Sequence, residues 1–256
     1  MKTKIIYEDD NILVVHKPAG LATQTKNLGQ QDVVSEIKNY LYTKRKQVRQ
    51  QVGEQQPYIG LIHRLDQPVE GLILLAKDEI TAAELSAQIA GNKIKKSYYA
   101  ILCGRPEKLG GSLEDYILKD TKTNLSKIVA ENQKDSKAKY AKLRYDCIGT
   151  VDKLIKIAED RVQPFFTLTD IQLVTGRHHQ IRVQFSHAGY PLLGDYKYGS
   201  LESKETSQKL GVKDIALCAY KLDFIHPKTN KQMQFQIKPD HFIFHNAKKS
   251  LKISII

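Results

Sequence analysis

The alternation of apolar and polar residues predicts a chain built mainly from strands. The apolar residues of KIIYE and of NILVVHK are separated at Asp9 and Asn11, which predicts a hairpin that the turn sequence KPAG ends beside Lys17. Five apolar residues, LILLA, lie between Gly71 and Lys77 and predict a buried strand. Further strands are predicted in KKSYYAILC, AKYAKLRYDCIG, KLIKIAE, FFTLTDIQLVTG, IALCAYKLDF and QMQFQIK.

Helical spacing of apolar residues is found in three segments. It predicts a short amphipathic helix over residues 32–43, which runs into the polar TKRKQVRQQVGEQQ, an exposed loop or helix end. EITAAELSAQIAGN predicts a helix closed by Gly91, and HHQIRVQFSHAG predicts one capped by Gly189. The lysine-rich residues 105–140 predict a small hairpin. Few helices among many strands favour an α+β fold around a mostly antiparallel β-sheet.

Charge adds a class of partner to this picture. Forty Lys and Arg against 28 Asp and Glu leave a formal net charge of +12, and such an excess attracts polyanions. Nucleic acid is the expected partner, and the alternative is a lysine-rich surface that serves solubility alone. No stretch approaches the roughly 20 apolar residues that a membrane-spanning helix needs, so we expect no association with a membrane.

Two features of the sequence favour the cytoplasm. The acidic residues Glu8, Asp9 and Asp10 interrupt the first apolar run before the apolar core of an export signal forms. The three cysteines are widely scattered and provide neither a disulfide framework nor a CxxC metal pair, which suits a reducing compartment. We therefore expect a cytoplasmic protein.

Four segments carry motifs that composition does not explain. In chain order they are IIYEDDNILVVHKPAG, HRLDQPVEGLILLAK, KKSYYAIL and TGRHHQIRVQFSHAGYPLLGDYKYG. Their residues and their order resemble the RluA-type family of RNA pseudouridine synthases over residues 4–199. The resemblance implies that family's catalytic fold and an isomerase that flips a uridine out of structured RNA and converts it to pseudouridine. It implies no metal and no other cofactor.

Two of these motifs depart from the family pattern. Where the family has a Thr-Ser-Gly run after the HRLD motif, this chain has Val69, Glu70 and Gly71. The usual GRTHQIR reads GRHHQIR, with His178 in place of the threonine. Glu70 places a negative charge near the expected phosphate-binding face, so we expect the RNA contacts there to differ.

The resemblance assigns three catalytic residues. Asp66 of HRLD matches the essential aspartate, which acts as a nucleophile or as a base, and the residues leave the route open. Arg182 of HQIR matches the arginine that pairs with this aspartate, and its permanently protonated planar fork suits the task of keeping a carboxylate ionised. Tyr98 of KKSYYA matches the tyrosine that stacks on the target base, and strand alternation points Tyr99 the other way.

The resemblance and the charge together predict the RNA contacts. Arg64 matches the family arginine that contacts RNA and helps to hold the flipped nucleotide out of its helix. Contacts are also expected from other motif residues and from the basic segment after the first helix: His63, Arg177, His179, Gln180, Lys44, Arg45 and Lys46. Arg49 and the lysines between residues 119 and 142 are further candidates for flanking phosphates, and salt should weaken all such contacts steeply.

Each assignment has a structural alternative. Asp66 would cap backbone groups of its own loop, Arg182 would form an ordinary salt bridge, and Tyr98 would pack in the core. The surrounding motifs favour function for all three. For Lys17 we favour a role in orienting the hairpin over phosphate binding.

Other motif residues are expected to serve the structure of the site. Asp195 and Tyr198 of GDYKYG should shape a turn near it. The histidines of both motifs lack the HExxH spacing or nearby cysteines of a zinc site, so structural or RNA-facing roles are favoured over metal binding.

Two other functions compete with the isomerase. One is an RNA-binding or folding factor that keeps the scaffold without turnover, and intact Asp66, Tyr98 and Arg182 argue against it. The other is a nucleic-acid glycosidase, which the absence of an obvious second acid makes remote. We expect a monomer that acts on ribosomal or transfer RNA through one catalytic domain, residues 1–256. The first strand begins almost at Met1, so no separate N-terminal RNA-binding domain is expected.

Overall fold

The computed structural model describes residues 1–27, 29–48, 56–131, 137–151 and 165–247. The strands are β1 (Lys4–Glu8), β2 (Ile12–Lys17), β3 (Gly60–Leu61), β4 (Glu70–Ala76), β5 (Lys95–Cys103), β6 (Gly110–Asp120), β7 (Leu125–Val129), β8 (Lys139–Thr150), β9 (Phe166–Leu173), β10 (Leu217–Ile225) and β11 (Gln232–Gln236). The helices are α1 (Val33–Val48), α2 (Glu79–Ala90), α3 (Gln180–His187), α4 (Leu201–Lys209) and α5 (Phe242–His245). The predicted strand KLIKIAE and Arg49 lie outside the described residues.

The chain divides into two compact units. Unit 1 contains residues 1–94 and 219–238, and unit 2 contains residues 95–218 and 239–256. Strand β10 begins in unit 2 and continues into unit 1, so the chain passes between the units within one strand.

In unit 1 the N-terminal strands form a sheet around the buried strand β4. The strand order is β1-β2-β4-β10, with β3 pairing with β4 and β11 with β10. The registers of β1 with β2, β2 with β4, β3 with β4 and β10 with β11 are antiparallel. Helix α2 begins at Asp78, whose carboxylate accepts the Thr81 N–H at 2.8 Å, and its Leu85 packs among Ile12, Leu74 and Phe224.

In unit 2 the strands follow the order β5-β9-β8-β6-β7, and all four pairings are antiparallel. Helix α3 packs on one face of this sheet, where the ring of Phe185 meets the edge of Tyr145 at a centroid distance of 5.4 Å. A second cluster, which includes Ile101, Phe166 and Leu193, is buried elsewhere in the unit. The α+β fold with a mostly antiparallel sheet is confirmed, as is the hairpin predicted within residues 105–140.

Three helices differ from the sequence prediction: α1 is longer, and neither α4 nor the four-residue α5 was predicted. Helix α1 extends to Val48 because its polar end is supported from within, with the Lys44 and Lys46 ammonium groups over the rings of Tyr40 and Tyr42 one turn earlier. Helix α4 was not predicted, because its buried positions are serines rather than apolar residues and leave no hydrophobic periodicity to read. None of the described helices is long and apolar enough to cross a membrane.

Candidate active site

Asp66 lies in unit 1, on a tight turn that precedes β4. The Val69 N–H donates to the Asp66 carbonyl oxygen at 3.0 Å and closes the turn. The Thr23 hydroxyl donates to the Leu65 carbonyl at 2.7 Å and holds the turn from the other side. Leu65 and Val69 are buried while Asp66 is only partly buried, so the turn points its apolar neighbours inward and leaves the aspartate accessible.

Lys17 ties the KPAG turn to the HRLD turn. Its side chain is completely buried, and Nζ donates to the carbonyl oxygens of Leu21 at 2.7 Å, Gln67 at 2.9 Å and Pro18 at 3.0 Å. The Gly20 N–H also donates to the Gln67 carbonyl at 2.9 Å. These contacts are those of an orienting residue, because the ammonium joins backbone carbonyls in and just after the KPAG turn to the carbonyl of Gln67, the residue that follows Asp66.

His63 and Arg64 have different surroundings. The Leu74 N–H donates to His63 Nε2 at 3.2 Å, so this ring nitrogen is an acceptor that ties the HRLD segment to β4. Arg64 is exposed, as expected of a side chain that contacts RNA. The RNA contacts of both residues stay predictions.

The Val-Glu-Gly sequence that replaces Thr-Ser-Gly lies at the start of β4. Gly71 has φ +137°, and a Cβ there would lie 2.5–2.6 Å from backbone atoms of Ala219, so no other residue fits. Glu70 is buried, with its carboxylate 3.8 Å from His16 Nε2. Our expectation of a Glu70 charge on a phosphate-binding face is therefore wrong, because the side chain is enclosed beside a histidine.

Tyr98 lies in unit 2, on β5. It is buried and stands opposite Ile171 of β9, which in turn stands opposite Tyr145 of β8. Because Tyr145 contacts Phe185 of α3, Tyr98 shares the face that α3 covers. Tyr99 packs against the separate cluster that contains Ile101, so the predicted alternation of the two tyrosines is confirmed.

Arg182 is held by a carboxylate that the sequence did not assign to it. Its Nε donates to Asp195 Oδ2 at 2.9 Å and its Nη2 to Oδ1 at 2.8 Å, with 4% and 1% of the two side chains exposed. The N–H groups of Lys197 and Tyr198 also donate to Oδ1. Burial alone would raise the pKa of the Asp195 carboxyl, but these bonds and the guanidinium charge outweigh it and lower the pKa.

The ring of Tyr198 packs against the Arg182 guanidinium, and its hydroxyl is held by polar groups. The guanidinium carbon lies 5.1 Å from the centroid of the Tyr198 ring. The Tyr198 hydroxyl accepts the Ser126 N–H at 2.7 Å and lies 2.7 Å from His179 Nδ1. Burial raises the pKa of this hydroxyl, so it stays protonated at neutral pH. The His178 ring stacks on His179 at 3.8 Å, which gives the departure from threonine a packing role.

The residues that lead into α3 are bonded mainly to one another. Gln180 Oε1 accepts the Arg177 N–H and the Thr175 hydroxyl, both at 2.9 Å. His179 has a left-handed backbone, with φ 54°, and both His179 and Gln180 are buried. Arg177 is exposed, and its Nε donates to the Tyr140 carbonyl at 2.8 Å. Contacts of these motif residues with RNA stay predictions.

The basic segment of unit 1 belongs to the last turns of α1 rather than to a loop. Lys44, Arg45 and Lys46 are all exposed. Lys44 Nζ donates to Glu8 Oε2 at 2.8 Å. Part of its charge therefore meets a carboxylate of the protein before any phosphate arrives, and RNA binding by this segment stays a prediction.

The arrangement provides three chemical elements. The HRLD turn presents a carboxylate, β5 carries a tyrosine on the face that α3 covers, and α3 carries a guanidinium fixed in orientation. The pairing of Asp195 with Arg182 is the residue role that sequence reasoning missed. No spacing rule could have found it, because the two residues are thirteen positions apart on a helix and a following turn.

Comparison with known proteins bears on the identity of the chain. A sequence model of the family described as RNA pseudouridylate synthase matches residues 11–187. The chain is 31% identical over 233 residues to tRNA pseudouridine synthase C of Haemophilus ducreyi, covering 90% of this chain and 88% of that protein. It is 30% identical over 229 residues to the dual-specificity RNA pseudouridine synthase RluA of Vibrio parahaemolyticus, covering 89% and 80%.

The fold is similarly shared with solved structures. Human RNA Pseudouridylate Synthase Domain Containing 1 superposes with a TM-score of 0.71 at 16% identity, covering 93% of this chain and 83% of that one. The matched range, residues 11–187, spans the positions of Asp66, Tyr98 and Arg182. The chain therefore belongs to the RluA-type RNA pseudouridine synthase family and is an isomerase that converts uridine to pseudouridine in RNA.

Proposed function

We propose that this enzyme modifies a uridine in structured ribosomal or transfer RNA, with Asp66 as the essential carboxylate, Arg182 as its cationic partner and Tyr98 as the platform for the flipped base. We further propose that both units together form one catalytic domain, that it acts as a monomer, and that it works in the cytoplasm. The family match supports a joint domain because residues 11–187 include parts of both units.

The buried, bidentate bond between Arg182 and Asp195 carries this proposal. An arginine that served only as surface charge would not need the carboxylate of Asp195, which is 1% exposed, to fix the orientation of its guanidinium plane. A fixed guanidinium suits a residue that must oppose the protonation of a catalytic carboxylate once a base excludes water from the pocket.

The reaction itself requires no redox change. The bond between the sugar C1′ and uracil N1 breaks, the uracil turns, and a bond forms from C1′ to ring carbon 5. Carbon 5 loses a proton and N1 gains one, so atoms and charge balance within the nucleotide. An ionised Asp66 serves this sequence either as a nucleophile or as a base.

Recognition of the RNA must include extrusion of the target base, which costs a few kcal/mol and costs less in loops and bulges. Single-stranded and splayed bases are the parts of RNA that proteins read most readily. The exposed Arg64, Arg177 and Lys46 are the best placed of our predicted contacts to reach phosphates. The names of the two relatives support transfer RNA and more than one RNA substrate as candidates.

Incubation of the purified protein with transfer RNA and with large-subunit ribosomal RNA tests the proposal. Pseudouridine should appear at one or a few positions of at least one RNA, without release of free uracil. Unchanged RNA in both reactions would favour a binding factor without turnover. Abasic sites with free uracil would instead identify a glycosidase.

A further inference from the structure

Lys96 lies on β5, near Tyr98 and the GRHHQIR motif. It precedes Tyr98 by two residues on β5, so both side chains leave the strand on the face that α3 covers. A Cβ on Gly176 would lie 3.6 Å from Lys96 Nζ, which puts the ammonium beside the glycine of the GRHHQIR motif. The lysine therefore links the strand of Tyr98 to the segment that leads to Arg182, all within unit 2.

In the part of the chain that the structure describes, the partly buried ammonium of Lys96 has no compensating anion. Burial is the one cause that acts on the pKa of Lys96, and it lowers that pKa. Neither an ion pair nor a hydrogen bond to Nζ is found among the described residues. Lys77 and Lys142, by contrast, bond the carboxylates of Glu8 and Glu114 at 3.0 Å and 2.7 Å.

A partly buried ammonium without a partner gains no contact that stabilises the fold, so a structural role does not account for it. The anion that an RNA-modifying enzyme meets at this motif is a phosphate of its substrate. Lysine suits phosphate as a compact charge with three donors. The absence of a side chain on Gly176 leaves the approach to Nζ open from the loop side.

We propose that Lys96 binds a backbone phosphate of the RNA adjacent to the target nucleotide and so fixes the strand while Tyr98 receives the base. This inference rests on the proposed function of Tyr98 and extends it to a phosphate subsite. Lys95, which is exposed and leaves β5 on the opposite face, has no such role.

The two neighbouring lysines provide a matched test. Lys96→Met, Lys95→Met and Lys96→Arg are compared with the wild type for binding to an RNA hairpin with a uridine-containing loop, at several salt concentrations. Lys96→Met should weaken binding roughly tenfold and lower the salt slope by about 1. Lys95→Met should change both less, and Lys96→Arg should restore most of the affinity.

Thermal stability separates phosphate binding from a structural role. Lys96→Met should melt at the same temperature as the wild type or higher, because it removes a desolvated charge. A lower melting temperature together with unchanged RNA affinity would show a structural lysine and overturn the inference. Equal affinities of Lys96→Met and Lys95→Met would overturn it as well.

The same samples are assayed for pseudouridine, so the two proposals fail separately. A wild-type protein that binds RNA but forms no pseudouridine would defeat the proposed function. A wild-type protein that forms pseudouridine, beside a Lys96→Met variant with normal affinity and KM, would defeat only the phosphate subsite.

Discussion

The HRLD turn of unit 1 and helix α3 of unit 2 are both organised by a buried cation, and the two cations have opposite purposes. Lys17 bonds three backbone carbonyls and fixes the path of the chain beside Asp66. Arg182 is itself fixed by Asp195 and Tyr198. In the HRLD turn the cation Lys17 is the supporting residue and the carboxylate of Asp66 is the proposed catalytic group. In α3 the carboxylate of Asp195 is the supporting group and the cation Arg182 is the proposed catalytic residue.

The comparison explains why substitutions of two aspartates, Asp66 and Asp195, should have different effects. Asp66 and Asp195 each lie in a turn, but only Asp195 is almost fully enclosed. Substitution of a supporting residue should therefore affect stability and activity together. Substitution of Asp66, which is only partly buried, should affect activity alone.

Asp195→Asn should have the largest combined effect. Removal of the negative charge takes the bidentate carboxylate of Asp195 away from the buried guanidinium of Arg182, which should lower the free energy of unfolding by about 3–5 kcal/mol. Displacement of Arg182 should also lower kcat by roughly a hundredfold. Denaturant unfolding and pseudouridine formation are measured beside Asp10→Asn, an exposed control. A variant as stable and active as the wild type would show that Asp195 does not hold Arg182.

The same variant makes a prediction about pH. The pKa of Asp195 is lower in the folded protein than its ordinary value of 3.8. Its contribution to stability is therefore complete above about pH 4 and is lost as pH falls through the folded pKa. The difference in the free energy of unfolding between wild type and Asp195→Asn should therefore be constant between about pH 5 and 7 and should shrink below about pH 4. A constant difference down to pH 2 would contradict the assignment.

Lys17→Met should have the next largest effect. The change removes the ammonium donor from the buried Leu21 carbonyl and from the Gln67 carbonyl, which keeps the Gly20 N–H, and should cost about 1.5–3 kcal/mol. Turnover should fall because the HRLD turn loses its support, while RNA affinity should change little. Lys26→Met, at an exposed position of the same unit, is the control. A large loss of RNA affinity at unchanged stability would instead assign Lys17 to phosphate binding.

Lys44→Ala combined with Lys46→Ala should have the smallest effect. Both side chains are exposed, and Lys44 already bonds Glu8, so affinity should fall only a few fold, with a salt slope reduced by at most about 2. Binding is measured across a salt series beside the pair Lys209→Ala and Lys213→Ala, which are exposed in unit 2. The same affinity as this control pair at every salt concentration would remove the end of α1 from the RNA interface.

The sequence predicted most of the framework and the identity of the proposed catalytic residues, but little of their support. A continuous apolar run located β4, and segments rich in branched and aromatic residues located β5, β8 and β9. It also predicted that Tyr98 and Tyr99 face apart. The HRLD and GRHHQIR motifs pointed to Asp66 and Arg182 because whole segments matched the family rather than single residues.

The supporting contacts could not be predicted from the sequence, because they join residues that are far apart in the chain and follow no helix or strand periodicity. Lys17 meets Gln67 across fifty positions, and Ser126 meets Tyr198 across seventy-two. The burial of Glu70 beside His16 was not predicted, because the sequence does not show which residue encloses it. Helix α4 was missed because serines, not apolar residues, form its buried face.

The measurement that tests the central claim most directly is the time course of pseudouridine formation by Asp66→Asn, with enzyme in excess over a substrate RNA that the wild type converts. The amide preserves size and removes the negative charge, and the side chain is only partly buried. No pseudouridine should form, while the melting temperature and RNA affinity stay close to those of the wild type. Conversion at the wild-type rate would contradict the assignment of Asp66 as the essential carboxylate.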